Sequence, residues 1–198
     1  MNPMSWRLRR AAVRLRHERV EIQHLLEAHG PGGHGTLLML LAAPCVLPVP
    51  GVGTVLGLGI AALAWAMWRG QTEAALPSRV ARVSMPRLWA RRVLALLARI
   101  HGGAGQVARP RWTGVAARGL RTWIPAVVAL MAVLIVLPIP FGNVLPALSL
   151  LLFGVGLVFL DGLFVLLAAG AAGLATLFPL GLALVAWGWG GELLQRLT

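Results

Sequence analysis

The sequence predicts an all-α, polytopic helical membrane protein with two repeated re-entrant hairpins that turn at Pro- and Gly-rich tips. Three observations support this fold class. Hydrophobic residues make up 58% of the 198 residues and charged residues only 12%, whereas soluble domains carry about 25% charged residues. The stretch 122–191 holds one charged residue, Asp161. Finally, two apolar stretches are each interrupted by a cluster of Pro and Gly.

Basic residues flank the apolar stretches. All 18 are arginines, and the formal net charge is +12. Six of them precede residue 36, and eleven lie between Arg69 and Arg121. Cytoplasmic flanks of membrane helices are enriched in Arg and Lys, so the N-terminal segment and the region 69–121 are expected on the cytoplasmic side. This distribution explains the positive charge without nucleic acid as a partner, and the lipid bilayer is the expected partner instead.

Residues 1–35 are expected to form a basic amphipathic N-terminal helix. Within them, residues 5–29 place apolar side chains near helical spacing between arginines. A basic amphipathic helix can lie on an anionic membrane surface. It can equally pack on a neighbouring helix, and the sequence leaves both alternatives open.

The first apolar repeat, 36–68, is too short for two membrane crossings. It has 33 residues without a charge, whereas two crossings require about 40. Arginines on both sides imply that the segment enters and leaves on the same side of the bilayer. Pro and Gly near its middle favour a turn there, because Pro lacks an N–H and Gly permits unusual backbone angles. The segment is therefore predicted to be a re-entrant hairpin.

The remainder divides into an Arg-rich interfacial linker, 69–121, and a second apolar hairpin repeat with C-terminal helices, 122–198. Residues 86–100 of the linker are expected to be an interfacial helix that ends before a run of glycines. Breaks at Pro138–Pro140, Asp161–Gly162 and Pro179–Gly181 predict four helices in the second block, each short for a membrane span.

An internal repeat relates the two apolar blocks. LPVP at 47–50 matches LPIP at 137–140, and GTVL at 53–56 matches GNVL at 142–145. A looser match pairs Arg69–Gly70 with Asp161–Gly162. Transporters are often built from two repeats with broken helices that meet near the bilayer midplane. Arginine positions favour parallel repeats, but inverted repeats with facing tips also remain open.

A longer stretch resembles a known family. The segment LPIPFGNVLPALSLLLFGVGLVFLDGLFVLLAAG, 137–170, contains PIPFGN, then LPA, then an apolar helix that ends in GLxxxDG. These motifs resemble the ExoD family of bacterial exopolysaccharide-synthesis membrane proteins. The segment GGHGTLLMLLAAPCVLPVPGVGTVLGLGIAAL also fits, and the resemblance covers about residues 30–185. Relatives more often carry a charge near Val158–Leu160, which leaves a second charge beside Asp161 in question. The resemblance implies a bacterial inner-membrane protein of exopolysaccharide synthesis or export, and it supplies no catalytic residues.

Asp161 is the one charged candidate within the second apolar block. Ionisable residues at membrane depth are costly and typically functional, so a proton or ion relay is one interpretation. Asp-Gly is also a turn dipeptide, and a hydrated turn at the interface is the preferred interpretation. Arg69 is the candidate partner of Asp161 if the two repeats pack together.

The hairpin tips are the candidate substrate or ion pathway. Asn143 and Thr54 stand at corresponding tip positions, where each can bind a polar group or cap the helix that follows. Gly57, Gly154 and Gly173 are examples of glycines expected to permit close helix packing. The candidate site residues are Pro48, Pro50, Gly53, Thr54, Pro138, Pro140, Phe141, Gly142, Asn143, Pro146, Asp161 and Gly162.

No enzymatic activity, catalytic residue, cofactor or metal is expected. The sequence lacks paired carboxylates, a CxxC motif and a phosphate-binding GxxxxGK[ST] loop. His17, Glu21 and His24 share a helix face that could bind a metal, but the polar side of an amphipathic helix is the preferred interpretation. Two functions follow: transport of a small solute, ion or lipid-linked intermediate, or a non-transporting accessory role in a polysaccharide-synthesis complex. A homodimer is expected from the glycine-rich helices.

Overall fold

Helices form nearly all of the regular structure, as expected for an all-α protein. The computed structural model describes residues 8, 10–13, 19–22, 25, 33–46, 52–71, 82, 84–137 and 142–197, and side chains only as far as residue 181. The elements are β1 (Arg19–Glu21), α1 (His34–Val46), α2 (Val52–Trp68), β2 (Ser84–Pro86), α3 (Arg87–Val107), α4 (Thr113–Arg121), α5 (Ile124–Val136), α6 (Val144–Phe159) and α7 (Gly162–Leu197).

Helix α1 forms the centre of the core. Every residue from Gly35 to Cys45 is buried, so this helix has no polar face. It packs against α6, α2 and α3. Pro44 lies inside α1 near its end, and the thiol of Cys45 donates to the carbonyl of Leu41 at 3.4 Å. A helix that is apolar on all sides must be enclosed by other helices or by lipid, and here protein encloses it.

Close contacts fix the direction of the two main helix pairs. Gly35, at the start of α1, lies against Gly154 and Leu157 in the second half of α6. Gly57, near the start of α2, lies against Ala132 and Val136 near the end of α5. Both pairs are therefore antiparallel. It follows that the α1–α2 and α5–α6 connections lie at the same end of the bundle.

The N-terminal segment differs from the expected helix over residues 5–29. Residues 10–13 are helical, but Arg19–Glu21 form strand β1, which pairs antiparallel with β2 so that Val20 lies opposite Met85. Both of these side chains are buried. The β-ribbon joins the N-terminal segment to the start of α3, and Arg91 Nε donates to the Ala12 carbonyl at 3.1 Å. Of the two alternatives, the described residues show packing on a neighbouring helix.

Two helix boundaries also differ from expectation. The helix predicted over 86–100 is present as α3 but extends through its glycines to Val107. Helix α7 continues through Pro179, so the described part of the second apolar block has three helices in place of four. Pro within an apolar helix is tolerated where neighbouring groups satisfy the freed carbonyl. The segment Pro179–Gly181 therefore does not mark a helix end.

One helix of the described residues is long and apolar enough to cross a membrane. This segment is Gly162–Gly181 of α7, 20 residues long with 22% of its apolar window buried. A second candidate exists if Thr113–Gly119 and Ile124–Val136 form one span bent by 68°. The outer surface of α7 exposes large apolar side chains, including Leu174, Leu177 and Phe178.

Candidate functional site

The starts of α2 and α6 meet at the end of the bundle where both hairpins turn. A Cβ atom on Gly53 would lie 2.9 Å from Nδ2 of Asn143, so a larger residue at position 53 would have to displace the end of the Asn143 side chain. The Oδ1 atom of Asn143 is enclosed and has no hydrogen-bonding partner among the described residues. A buried polar atom without a partner costs about 1–3 kcal/mol. The two candidate tip residues are therefore brought together by the fold.

Neither tip side chain caps its helix as the capping alternative requires. Asn143 occupies the position before α6, but its side chain makes no capping hydrogen bond. Helix α2 begins at Val52, so Thr54 lies inside its first turn, where its side chain is exposed. The capping interpretation is wrong for both residues, because the amide of Asn143 turns toward α2 and the helix start precedes Thr54.

The other tip residues fall into two groups. Pro146 is buried in the first turn of α6, where its missing N–H removes no intrahelical bond. Gly142 is half-buried in the turn before that helix. The remaining tip candidates lie outside the described residues, and they are Pro48, Pro50, Pro138, Pro140 and Phe141.

Asp161 lies at the opposite end of the bundle, in the corner between α6 and α7. Its side chain is fully buried. Oδ1 accepts from the N–H of Leu163 at 3.0 Å, which caps α7, and Oδ2 accepts from the N–H of Arg109 at 3.0 Å. Arg111 Nε donates to both oxygens, at 3.0 and 3.1 Å. Each carboxylate oxygen therefore has a backbone donor and a share of one guanidinium.

The electrostatic balance at Asp161 favours the charged form. Burial raises the pKa of the carboxyl. Hydrogen bonds from Arg111 and from the backbone N–H groups of Arg109 and Leu163 together lower this pKa by more than burial raises it, so the net shift is downward. A carboxylate that accepts several such bonds stays ionised. Asp161 thus lies in a turn between two helices, as the Asp-Gly pair suggested, but its carboxylate is buried and paired with Arg111 instead of hydrated, and no oxygen is without a donor.

Arg69 is not the partner of Asp161 among the described residues. Its guanidinium stacks on Trp65, with Cζ 4.9 Å from the ring centroid. The partner is Arg111, which comes from the linker and whose carbonyl also accepts from the N–H of Gly162, the residue after Asp161, at 2.8 Å. A Cβ on Gly162 would lie 2.7 Å from the Trp112 carbonyl, which explains the glycine of the Asp-Gly pair. The basic sequence Arg-Pro-Arg at 109–111 was the signal that could have indicated a partner for Asp161. Its position 50 residues before Asp161 gave no reason to expect the contact.

Two helix ends have the same backbone geometry, ninety residues apart. Gly70 after α2 and Leu160 after α6 both have positive φ, +68° and 52°. The following N–H groups, of Gln71 and Asp161, each bond to a carbonyl five residues back, at 3.1 and 2.9 Å. This is the Schellman geometry of helix ends. Gln71, and not Arg69, therefore stands at the position that corresponds to Asp161.

These features define a small helical protein in which one helix of the described residues is able to cross a membrane and the apolar helix α1 lies at the centre of the core. The family model described as "Exopolysaccharide synthesis, ExoD" matches residues 4–181. The chain belongs to the ExoD family, and this membership implies involvement in exopolysaccharide synthesis. Neither the curated proteins nor the solved structures contain a match.

Proposed function

We propose that this protein is a non-enzymatic bacterial inner-membrane protein with a transporter-like role in exopolysaccharide synthesis or export. Hairpins α1–α2 and α5–α6 would enter the bilayer from the cytoplasmic side, which also holds the N-terminal segment and the Arg-rich linker. The cargo class is a small solute, an ion or a lipid-linked intermediate. The observation that carries the proposal is the contact of Gly53 with Asn143, where the second helices of the two hairpins, α2 and α6, begin next to each other.

Helix lengths support re-entrant hairpins. The four hairpin helices have 13, 17, 13 and 16 residues, which correspond to roughly 20–26 Å at 1.5 Å per residue. The hydrocarbon core of a bilayer is about 30 Å thick. The hairpin helices are therefore short of a full crossing, whereas the 20-residue apolar part of α7 is long enough.

Shelter by protein is the second support. Irregular backbone is tolerated at membrane depth only when protein buries it or when it lines a wet cavity. Helix α1 is buried from Gly35 to Cys45, and α2 begins against Asn143. The chain that enters and leaves the first tip is thus held by the second hairpin.

The helix pairs support two parallel repeats over inverted ones. Exchanging the two hairpins turns the α1–α6 pair into the α5–α2 pair, and both pairs are closely packed and antiparallel. Both connections lie at one end of the bundle. At the opposite end of the bundle, α2 and α6 end with the same backbone geometry, at Gly70 and Leu160. Membrane transporters with parallel repeats have such an axis along the membrane normal.

A non-transporting accessory role is the second candidate, and one observation favours it. Asp161 has every oxygen occupied by donors of its own chain, so it holds the fold together and has no free lone pair facing a pathway. In this role the helices and the basic linker would contact the polysaccharide-synthesis machinery.

Tip accessibility tests the re-entrant part of the proposal. Single cysteines would replace Val49 and Ile139 in a Cys45→Ala background, and membrane-impermeant maleimide would be applied to intact cells and to inverted vesicles. The proposal expects slow labelling from both sides, because it places the tips inside surrounding protein. A control cysteine at exposed Arg82 should label rapidly in inverted vesicles. Rapid labelling of both tips from bulk solvent would contradict the re-entrant topology.

Exopolysaccharide output then separates the two roles. Asn143→Ala removes the amide whose Oδ1 has no partner among the described residues, and Thr176→Ala is a matched control, because its hydroxyl donates to the Ala172 carbonyl within α7. Transport predicts that Asn143→Ala, expressed at the normal level and folded, lowers secreted exopolysaccharide while Thr176→Ala does not. Normal output from both variants would favour the accessory role.

A further inference from the structure

Trp112 and Leu160 are two exposed apolar residues at the corner between α6 and α7, at the end of the bundle opposite the hairpin connections. Trp112 lies just before α4 and Leu160 just after α6, and their side chains are 62% and 48% exposed. Both have left-handed backbone, with φ of 50° and 52°, a conformation that costs a residue with a Cβ about 1–2 kcal/mol. Among the described residues other than glycine, only these two have positive φ.

The fold holds Trp112 against the start of α7. Its carbonyl accepts from the N–H of Val115 at 2.8 Å, and the preceding carbonyl, of Arg111, accepts from the N–H of Gly162 at 2.8 Å. A Cβ on Gly162 would lie 2.8 Å from the Cβ of Trp112, so the indole begins beside the first residue of α7. Strained residues persist where the surrounding structure fixes them, and they cluster at functional positions. Because the exposed indole adds little to the core, the strain points to a role at the surface.

This corner lies at the level of a membrane surface in the proposed topology. Gly162 begins the 20-residue apolar segment that is long enough to cross a bilayer. Trp65 and Trp68, 60% and 62% exposed, lie in the last four residues of α2, at the same end of the bundle as Trp112. Tryptophan is enriched where membrane helices meet the headgroups. The described tryptophans that are more than half exposed therefore share the end at which α7 would enter the bilayer.

Arginines flank the exposed indole without carboxylates to balance them. Arg109 and Arg118 are exposed, and neither has a carboxylate partner in the part of the chain that the structure describes. The Arg118 guanidinium reaches back along α4, since a Cβ on Gly114 would lie 3.0 Å from one of its terminal nitrogens. Asp161 balances only Arg111, which bonds to it through Nε. The corner thus has a net positive charge, and such a surface attracts anions.

An open apolar face of α7 continues from this corner. Residues three and four apart share one face of a helix, so Gly162, beneath Trp112, is followed on its face by Leu166, Gly170 and Gly173. Leu166 is 46% exposed. A Cβ on Gly170 or on Gly173 would meet nothing within 4 Å. An acyl chain whose headgroup lies at the corner can therefore run along α7.

We propose that this corner binds an anionic phospholipid of the cytoplasmic leaflet. The guanidinium groups of Arg109 and Arg118 bind the headgroup phosphate, as arginine does with two parallel hydrogen bonds. The side chains of Trp112 and Leu160 lie at the boundary between headgroups and acyl chains. A free phosphate would use the arginines but not the exposed apolar side chains, and an acidic protein surface would leave the apolar face of α7 uncovered. The inference deepens the proposed function and rests on it for the placement of this end at the cytoplasmic surface.

Thermal unfolding of the purified full-length protein in dodecyl maltoside tests this site, because a ligand that binds the folded state raises the unfolding temperature. The probes are dioleoyl phosphatidylglycerol, dioleoyl phosphatidylcholine, inorganic phosphate and poly-L-glutamate. Trp112→Asn removes the indole and places there a residue that tolerates left-handed backbone. The pair Arg109→Gln and Arg118→Gln removes two charges at the corner. The control pair Arg82→Gln and Arg99→Gln removes two exposed charges elsewhere.

The wild type and the control pair are expected to show a saturable rise in unfolding temperature with phosphatidylglycerol and a much smaller one with phosphatidylcholine. Trp112→Asn should weaken the apparent affinity for phosphatidylglycerol about tenfold, because less apolar area is buried in the lipid. In lipid-free detergent it should not lower the unfolding temperature, since Trp112 is strained and exposed. The Arg109 and Arg118 pair should weaken the affinity roughly 25-fold, about fivefold for each charge removed.

Several outcomes would overturn the lipid site. Equal effects of the two lipids would remove the preference for an anionic headgroup, and equal losses in the two arginine pairs would show a diffuse attraction to the whole basic protein. Full affinity in Trp112→Asn, or a lower unfolding temperature of this variant without lipid, would make the indole a packing residue. An equal rise with inorganic phosphate would reassign the corner to free anions, and an equal rise with poly-L-glutamate would reassign it to an acidic protein.

Tip labelling keeps this inference separate from the proposed function. A missing phosphatidylglycerol effect together with slow labelling at Val49 and Ile139 would remove the lipid site and leave the re-entrant hairpins. Rapid labelling of both tips with a retained phosphatidylglycerol effect would contradict the hairpins and leave the lipid site at the start of α7.

Discussion

Arg111 holds the buried carboxylate of Asp161 through its Nε, which lies 3.0 Å from Oδ1 and 3.1 Å from Oδ2. Fifty residues separate the two along the chain. The contact ties the loop before α4 to the corner between α6 and α7, and Gly162 adds a backbone bond to the Arg111 carbonyl at 2.8 Å. The Arg-rich linker is therefore attached to the second apolar block at Asp161, in the corner between α6 and α7.

Arg111→Ala is expected to destabilise the protein by about 1–3 kcal/mol, because it leaves a buried carboxylate with only its backbone donors. The estimate stays below that for a fully buried pair, since the Arg111 side chain is 42% exposed. Arg69→Ala is the matched control and should change stability by less than about 0.5 kcal/mol. Thermal unfolding in detergent measures both. Equal effects of the two variants would contradict the assigned pair.

The stability contributed by Asp161 should depend on pH in the acidic range. Because its pKa in the folded protein is lowered, this contribution is fully present above the ordinary Asp value of about 3.9 and is lost as pH falls through the lower folded-state value. Asp161→Asn should therefore unfold at a lower temperature than the wild type at pH 7. Thermal unfolding across pH 7 to 2.5 should show the two curves converging. A difference that stays constant with pH would contradict the charged, paired state.

Leu160→Gly is expected to stabilise the protein by as much as about 1 kcal/mol. Leu160 has φ of 52°, a conformation that costs a residue with a Cβ about 1–2 kcal/mol, and the greater freedom of glycine in the unfolded chain offsets part of the gain. Gly70→Ala is the reciprocal test at the matching helix end and should lower the unfolding temperature. If both substitutions lowered it equally, the shared helix-end geometry would be wrong.

Gly154→Ala is expected to destabilise the contact between α1 and α6 by about 1–3 kcal/mol, as overpacking does. The added Cβ would meet the Gly35 carbonyl oxygen at 2.7 Å and the side chain of Met39, and the backbone of α1 would have to shift. Gly103→Ala, in α3 with nothing within 4 Å, should instead stabilise by up to about 1 kcal/mol. Urea or thermal unfolding distinguishes the two signs. A stabilising Gly154→Ala would contradict the close helix approach.

Composition and hydropathy were sufficient to predict the helical class and the approximate positions of the breaks between the hairpin helices, but not the start of α2, which precedes Thr54. The repeated Leu-Pro-x-Pro phrases lie between α1 and α2 and between α5 and α6, where they were expected. Gly57 and Gly154 are at close helix contacts as predicted, whereas Gly173 has nothing within 4 Å in the single chain. Local patterns predict local breaks well because Pro and Gly act through their own backbone.

Long-range pairing was beyond the same patterns. The partner of Asp161 is Arg111 and not Arg69, because linker and corner meet only in three dimensions. Strand β1 was read as helix because its alternating burial spans three residues, too few for either period to dominate. Pro179 was predicted to end a helix, because the rule that Pro breaks helices does not consider groups outside the local sequence. In apolar helices, neighbouring groups can satisfy the carbonyl that Pro leaves free.

In the proposed topology, the length of α7 determines on which side of the bilayer the residues after it lie. It has 36 residues, roughly 54 Å, which exceeds the 40–45 Å of a whole bilayer with its headgroups, to order of magnitude. Because the two hairpins return to the side from which they entered, α7 is the one described helix that crosses the bilayer in this topology. Residues after Gly181 would then face the periplasm, opposite the arginine-rich side, and a reporter fused behind Arg196 would be active only if it folds outside the cytoplasm.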